Sequence, residues 1–186
     1  MNVFSRPEEY SGQASAVALG MFDGVHIGHQ LLIRTTVSLA RAEGWQAVVS
    51  TFDRHPLSVI APEHAPRALL TLQENIQKME RLGADWVYVQ HFDREFAALS
   101  PEDFVHRIVV GLNARAIVVG ENYTFGRRGA GNAALLEALS GPEGFRCVVV
   151  PPVMDGGRMT SSTWIRQLQQ AGEAEHARRL MDIPEV

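Results

Sequence analysis

Two histidines and three glycines lie close together in residues 20–29, which read GMFDGVHIGH. Gly24 and Gly28 permit tight turning and close approach of the backbone to a ligand. His26 and His29 are three residues apart, so both imidazoles can point at one atom. As hydrogen-bond donors they would stabilise negative charge on a phosphorus atom under attack. Two surface histidines, or a zinc site, are the alternatives, although no third zinc ligand is obvious in the sequence.

A second segment, residues 158–166, reads RMTSSTWIR. Consecutive hydroxyl residues at a helix start offer side-chain oxygens together with free backbone N–H groups. Arg166 follows Ser162 by four residues and Thr163 by three, so it lies on the same helical face and within reach of an anion there. An ordinary serine cap beside a solvated arginine is the alternative interpretation.

Two further segments are less specific. Residues 120–131, GENYTFGRRGAG, combine aromatic rings, a basic pair and several glycines. That composition suits a mobile flap over a planar or anionic ligand, and a solvated glycine-rich loop is the alternative. Residues 51–56, TFDRHP, follow an apolar run, but their residue types alone decide little.

The elements that must position these segments alternate between short strands and helices. Apolar, β-rich runs predict strands at residues 16–19, 47–52, 86–90, 116–119 and 146–150. Apolar spacing and cap residues predict helices at residues 29–43, 71–82, 102–112 and 132–139, from residue 161 or 162 to 171, and at 173–181. The alternation predicts an α/β fold, doubly wound, with a parallel sheet of about five strands flanked by helices. Ligands of such sheets bind beyond the carboxyl ends of the strands, where these segments lie.

The composition limits the classes of protein to consider. The chain of 186 residues is 46% hydrophobic and 20% charged, and its net charge is −4, which argues against a nucleic-acid backbone as the main partner. Its one cysteine, Cys147, excludes an intramolecular disulfide framework and fits a reducing compartment. The sequence has no apolar signal region and no continuous apolar stretch of membrane-spanning length. We therefore expect a cytoplasmic protein without a membrane partner.

Taken together, the four segments resemble the adenylyltransferase module of bacterial bifunctional FAD synthetases, the riboflavin kinase/FMN adenylyltransferases. That family's pattern is a Gly-x-Phe-Asp-Gly-Val-His-x-Gly-His opening, a Thr-Phe-x-x-His-Pro segment, a Gly-Glu-x-Phe/Tyr-x-Phe-Gly flap and a Ser-Ser-Thr-x-x-Arg signature, and the chain matches each in order. The resemblance covers residues 14–182. It implies a Rossmann-like nucleotidyltransferase fold that transfers AMP from MgATP to FMN and releases pyrophosphate. FMN is then a substrate, FAD the product, and Mg²⁺ accompanies ATP.

The resemblance also implies roles for individual residues. The catalytic residues that it implies are His26, His29 and Arg166. The implied ATP-binding residues are Gly20, Phe22, Asp23, Gly24, His26, Gly28, His29, Ser161, Ser162, Thr163 and Arg166. The implied flavin-binding residues are Phe52, His55, Pro56, Asn122, Tyr123, Phe125 and Arg127. No residue is assigned as a metal ligand.

The chain departs from the family's pattern in two motifs and in length. Trp164 stands where the family usually has arginine, and Asn132 where an acid often follows the flap. Full-length members continue into a riboflavin kinase, whereas this chain ends at residues 183–186. We therefore expect a single nucleotidyltransferase domain over residues 1–186, without riboflavin kinase activity. The alternatives are another acceptor, such as pantetheine phosphate, nicotinate mononucleotide or a modified flavin phosphate, and a non-catalytic flavin- or nucleotide-binding module.

Overall fold

The computed structural model describes residues 1–10 and 12–184. The strands in this part of the chain are β1 (Asn2–Phe4), β2 (Ser15–Leu19), β3 (Gln46–Phe52), β4 (Trp86–Gln90), β5 (Ala114–Gly120), β6 (Thr124–Phe125), β7 (Gly131–Asn132), β8 (Arg146–Val150), β9 (Met154–Asp155) and β10 (Arg158–Met159). Six of them form a parallel sheet in the order β1-β4-β3-β2-β5-β8. The other four form two antiparallel hairpins, β6–β7 and β9–β10.

The strand order reverses direction at β2. From β2 the chain adds β3 and then β4 on one side, and it adds β5 and then β8 on the other. All five residues of β2 are buried, because a central parallel strand has neighbours and helices on every side. Ligands bind outside the carboxyl ends of the strands at such a reversal. The loops that follow β2 and β5 border this crevice.

Helices connect the strands and cover both faces of the sheet. They are α1 (Ile27–Glu43), α2 (Leu57–Ile60), α3 (Leu72–Arg81), α4 (Arg94–Ala97), α5 (Pro101–Gly111), α6 (Ala133–Glu143), α7 (Ser162–Gln170) and α8 (Ala174–Met181). The predicted capping box is confirmed, since Thr71 and Glu74 hydrogen-bond reciprocally at the start of α3. Gly44 ends α1 with a φ of 70°, a left-handed conformation that glycine adopts without steric cost.

The core consists of two layers, one on each face of the sheet. Val17 and Leu19 of β2 point into a layer with α5 and α6, where Ile108 and Leu136 are fully buried. Ala18, between them in the sequence, points to the opposite layer with α1 and α3. Successive residues of a strand face opposite sides, so a continuous apolar run serves both layers. The sheet is thereby fixed rigidly beneath the crevice.

The structure corrects the predicted sheet at its edge. The sequence predicted about five strands, and the sheet has six because β1 pairs with β4. The two hairpins and the single-turn helices α2 and α4 were also not predicted. Each strand and helix concerned is four residues or fewer, too short for a periodic pattern to reveal. Residue 11 and residues 185–186 of the predicted domain lie outside the described residues.

Candidate active site

The loop after β2 has an unusual backbone. Phe22, Gly24 and Val25 have φ values of 52°, 84° and 41°, in a region that L side chains rarely adopt. Two features favour glycine at position 24. Its φ is positive, and a Cβ there would lie 2.9 Å from Cδ1 of Leu69. The loop descends into the protein at this point, and Phe22 and Val25 are fully buried. Packing on all sides holds the loop in this conformation.

The two predicted histidines lie against each other at the end of this loop. His26 is the N-cap of α1, and its Nδ1 accepts a hydrogen bond of 3.4 Å from the backbone N–H of His29. Their rings stack with centroids 3.7 Å apart and planes inclined by 20°. A Cβ at Gly28 would lie 3.3 Å from the ring of His26, so glycine gives the rings their space. The structure thus brings the predicted pair together.

Burial keeps both imidazoles neutral at neutral pH. It lowers the pKa of His26 to about 4. The pKa of His29 lies well below its ordinary value because of burial and the nearness of His26. Because Nδ1 of His26 accepts a hydrogen bond, its proton is on Nε2, and that N–H is a donor. Nδ1 of His29 is buried and has no hydrogen-bond partner among the described residues.

The start of α7 lies beside the histidine loop. Ser161 caps the helix by accepting from the N–H of Trp164 at 3.1 Å, which decides between the two predicted caps. Ser162 Oγ donates to the carbonyl oxygen of Asp23 at 2.9 Å. The carbonyl oxygen of Thr160 is 3.9 Å from the position of a Cβ on Gly28. Two helix N-termini, those of α1 and α7, therefore converge, and each offers backbone N–H groups suited to phosphate.

Arg166 has partners that the sequence did not predict. Its Nη2 donates to the carboxylate of Asp23, and its Nε donates to the carbonyl oxygen of Arg67 at 2.7 Å. The Asp23 carboxylate also accepts from the backbone N–H groups of Leu69 at 2.9 Å and Leu70 at 3.4 Å. The two charged side chains are 16% and 8% exposed. A guanidinium has five N–H donors, so Arg166 keeps donors for an anion while Asp23 fixes its direction.

An apolar cavity of about 550 Å³ opens beside this centre. Its wall includes five predicted flavin-binding residues, namely Phe52, Pro56, Tyr123, Phe125 and Arg127. It also includes Phe92, Phe96 and Phe104, which the site prediction missed. The ring centroid of Phe52 lies 5.3 Å from that of Phe92 and 5.5 Å from that of Phe96. The segment 92–104 carries three phenylalanines in thirteen residues, a signal that could have marked it as part of an aromatic site.

Two predicted flavin-binding residues lie elsewhere. His55 borders a smaller pocket of about 100 Å³ that also includes Asp23 and Phe52. Burial and the positive charge of Arg166 lower the pKa of His55. Asn122 is exposed and donates to the sulfur of Met159 at 3.1 Å. Neither residue is part of the wall of the large cavity, and their assignment to flavin stays a prediction.

The two departures from the family's pattern have structural partners. Asn132 caps α6, accepting from the N–H of Leu135 at 2.9 Å. The ring of Trp164 lies under the guanidinium of Arg158 at 3.8 Å from Cζ to the centroid.

In the described part of the chain, no group of three or more His, Cys, Asp or Glu residues could hold a metal ion. No helix of residues 1–10 and 12–184 is long and apolar enough to cross a membrane.

The parallel six-stranded sheet, flanked by helices and with the starts of α1 and α7 at its carboxyl edge, defines a Rossmann-like nucleotidyltransferase fold. The chain belongs to the FAD synthetase family, whose model matches residues 8–164.

Two curated relatives are similar in sequence to most of this chain. A bifunctional riboflavin kinase/FMN adenylyltransferase of Bacillus subtilis is 37% identical over 172 residues, which are 91% of this chain and 54% of that protein. One of the same name from Listeria monocytogenes is 35% identical over 95% of this chain and 56% of its own length. The chain thus spans about half the length of these relatives.

Solved structures confirm the fold. A crystal structure described as a macrolide-efflux protein from Streptococcus pneumoniae has a TM-score of 0.87 and 32% identity, covering 98% of this chain and 60% of that one. A pantoate-β-alanine ligase from Francisella tularensis has a TM-score of 0.62 at 16% identity, covering 98% of this chain and 78% of its own. The second likeness shows the fold alone.

Proposed function

We propose that this chain transfers AMP from MgATP to the phosphate of FMN, giving FAD and pyrophosphate. One observation carries the choice of acceptor: the cavity of about 550 Å³ is walled largely by aromatic and aliphatic side chains. Its volume lies in the range of cofactor sites, and aromatic walls suit a planar ring system. Phe52 borders both this cavity and the smaller pocket at Asp23. A flavin in the cavity can thus extend its phosphate toward the histidine loop.

The chemistry proposed at the histidine loop is an in-line displacement. A phosphate oxygen of FMN attacks the α-phosphorus of ATP, the bond from that phosphorus to the bridging oxygen breaks, and pyrophosphate leaves with the electron pair. His26 and His29 donate hydrogen bonds to the α-phosphate as charge builds up in the transition state. No covalent enzyme intermediate forms. Catalysis then consists of positioning and charge stabilisation.

The start of α7 is proposed to hold the part of ATP that leaves. Ser161 and Thr163 offer hydroxyl and backbone N–H groups to the β- and γ-phosphates. Ser162 offers its backbone N–H, since its hydroxyl donates to Asp23, and Arg166 adds a charged donor. Mg²⁺ would arrive as part of the MgATP substrate and would offset negative charge on the phosphates that these groups hold. Gly20, Phe22, Asp23, Gly24 and Gly28 shape the loop around the nucleotide.

The flavin is proposed to lie among Phe52, Pro56, Tyr123 and Phe125, with Arg127 at the rim. His55 and Asn122 remain proposed neighbours of the acceptor on the side nearer to ATP. We also propose that the chain acts as a single nucleotidyltransferase domain, since β1–β5 and β8 form one sheet with helices on both faces. A cytoplasmic location and the lack of a nucleic-acid partner stay predictions from the sequence.

Chromatography of flavins tests the proposal directly. Purified protein is incubated with ATP, Mg²⁺ and either FMN or riboflavin, and we expect FAD from FMN and no FMN from riboflavin. His26→Ala and His29→Ala are expected to fold and to lose most turnover, whereas His64→Ala, at an exposed histidine, keeps it. FMN that binds without being converted, or faster AMP transfer to pantetheine phosphate or nicotinate mononucleotide, would overturn the proposed acceptor reaction.

A further inference from the structure

The backbone that carries His26 is held in a costly conformation. Val25 immediately precedes His26 and has a φ of 41°, which is rare for a β-branched residue. Such backbone conformations are unfavourable and persist only where the surrounding structure fixes them. The N–H of Val25 makes only a long bond of 3.4 Å to the carbonyl oxygen of Phe22. Other groups must therefore hold this residue.

The side chain of Gln30 supplies such a contact. Gln30 lies in α1, next to His29, and is 1% exposed. Its Nε2 donates to the carbonyl oxygen of Val25 at 3.0 Å. The same nitrogen donates to the carbonyl oxygens of Met181 at 3.3 Å and Asp182 at 3.0 Å. One buried amide thus joins the histidine loop to the segment that follows α8.

We propose that Gln30 is a positioning residue for the reaction: its amide holds Val25, and with it His26, in register with the C-terminal segment at Met181–Asp182. This inference rests on the proposed FMN adenylyltransferase activity. Loss of the amide leaves the buried carbonyl group of Val25 without this donor and removes the same contact from the carbonyl groups of Met181 and Asp182. The loop can then relax from its strained backbone. The imidazole of His26 then moves relative to the α-phosphate. Displacements of about 1 Å cost about 100-fold in rate.

The chain offers a matched control at the same carbonyl group. Nζ of Lys78 donates to the carbonyl oxygen of Met181 at 2.6 Å. Among the described residues, Lys78 makes no hydrogen bond to residues 20–26. Gln30→Met and Lys78→Met therefore both remove a donor from the C-terminal segment. Only Gln30→Met also removes the donor to the loop.

Steady-state kinetics separates positioning from stability. For Gln30→Met we expect kcat to fall about 10- to 100-fold, with KM for ATP and for FMN within about twofold, since the phosphate- and flavin-binding groups are unchanged. For Lys78→Met we expect a lower melting temperature and kcat within about twofold. A Gln30→Met enzyme that melts at a lower temperature but keeps its kcat would overturn the inference. If Gln30→Met lacks a cooperative melting transition, Gln30→Asn tests the same donor with a shorter amide.

Hydrogen exchange measured by mass spectrometry tests the link without any activity. In Gln30→Met, peptides covering residues 20–30 and 178–184 should both exchange faster than in the wild type. In Lys78→Met, only the second peptide should do so. Wild-type exchange of residues 20–30 in Gln30→Met refutes the role of Gln30, whether or not the protein makes FAD. If the wild type makes no FAD but both peptides respond, the link is present and the proposed function has failed.

Discussion

The low pKa of His26 makes a prediction about stability in mild acid. The folded pKa is about 4, below the ordinary value of 6.5, so between these values the unfolded chain binds a proton that the folded protein does not. Stability from this group is therefore complete above about pH 7 and is lost as the pH falls toward 4. For His26 alone, the loss between pH 7 and pH 5 is about 2 kcal/mol.

The variant His26→Asn isolates this effect. Asparagine is a favourable N-cap residue, so it can replace the bond that His26 accepts from the N–H of His29 while removing the titrating group. Urea unfolding at pH 7 and pH 5 measures the free energy of unfolding of each protein. We expect the wild type to lose about 2 kcal/mol more than His26→Asn over this range.

The control variant replaces an exposed histidine, and the refuting result concerns the burial of His26. His64 is exposed, so His64→Asn should lose as much stability in acid as the wild type. His29 and His55 also have lowered pKa values, and they remain in all three proteins. If the wild type and His26→Asn lose equal amounts, His26 is not buried as a neutral imidazole. The proposed donor role of its Nε2–H group would then lack its basis.

Three further predictions concern other parts of the site. Arg166→Ala leaves Asp23 buried without its cation, so we expect a loss of about 3 kcal/mol in the free energy of unfolding. We also expect kcat/KM for ATP to be at least tenfold lower, and unchanged kinetics would exclude Arg166 from phosphate binding. A Cβ at Gly131 would lie 2.5 Å from the ring of Phe125, so Gly131→Ala should shift that ring. Initial-rate kinetics should then show a higher KM for FMN and an unchanged KM for ATP. Partial burial raises the pKa of Cys147 to about 11, so iodoacetamide should alkylate it about 100-fold more slowly at pH 8 than a free thiol. Mass spectrometry checks this, and rapid labelling would contradict the raised pKa.

Most of the fold could be predicted because its signals are local. Thr71 and Glu74 mark the start of α3 within four residues, and Gly44 marks the end of α1. The predicted bounds of Trp86–Gln90 and Arg146–Val150 agree with the structure. β1 has no such signal, since it exists only through pairing with β4, more than eighty residues away. A three-residue strand becomes recognisable only in its tertiary context.

The candidate site was predictable in its segments but not in its contacts. The loops after β2 and β5 and the start of α7 meet because parallel strands end at one edge of the sheet. The pairing of Asp23 with Arg166 joins residues 143 positions apart, and neither residue type specifies its partner. The neutral state of His26 likewise depends on burial, which its neighbours in sequence do not determine. The aromatic wall formed by Phe92, Phe96 and Phe104 was missed although these rings share one segment, because only tertiary packing brings them against Phe52.

Three features of the site that the sequence could not specify are unfavourable for folding. The strained loop at Val25, the desolvated histidines and the buried Asp23–Arg166 pair each oppose folding when considered alone. They are tolerated because the buried sheet and the packed helices around them fix every group. Donors fixed before the substrate binds need no reorganisation as charge develops on the α-phosphate. For the proposed AMP transfer, this rigidity predicts that variants that loosen the loop lower kcat more than they weaken binding.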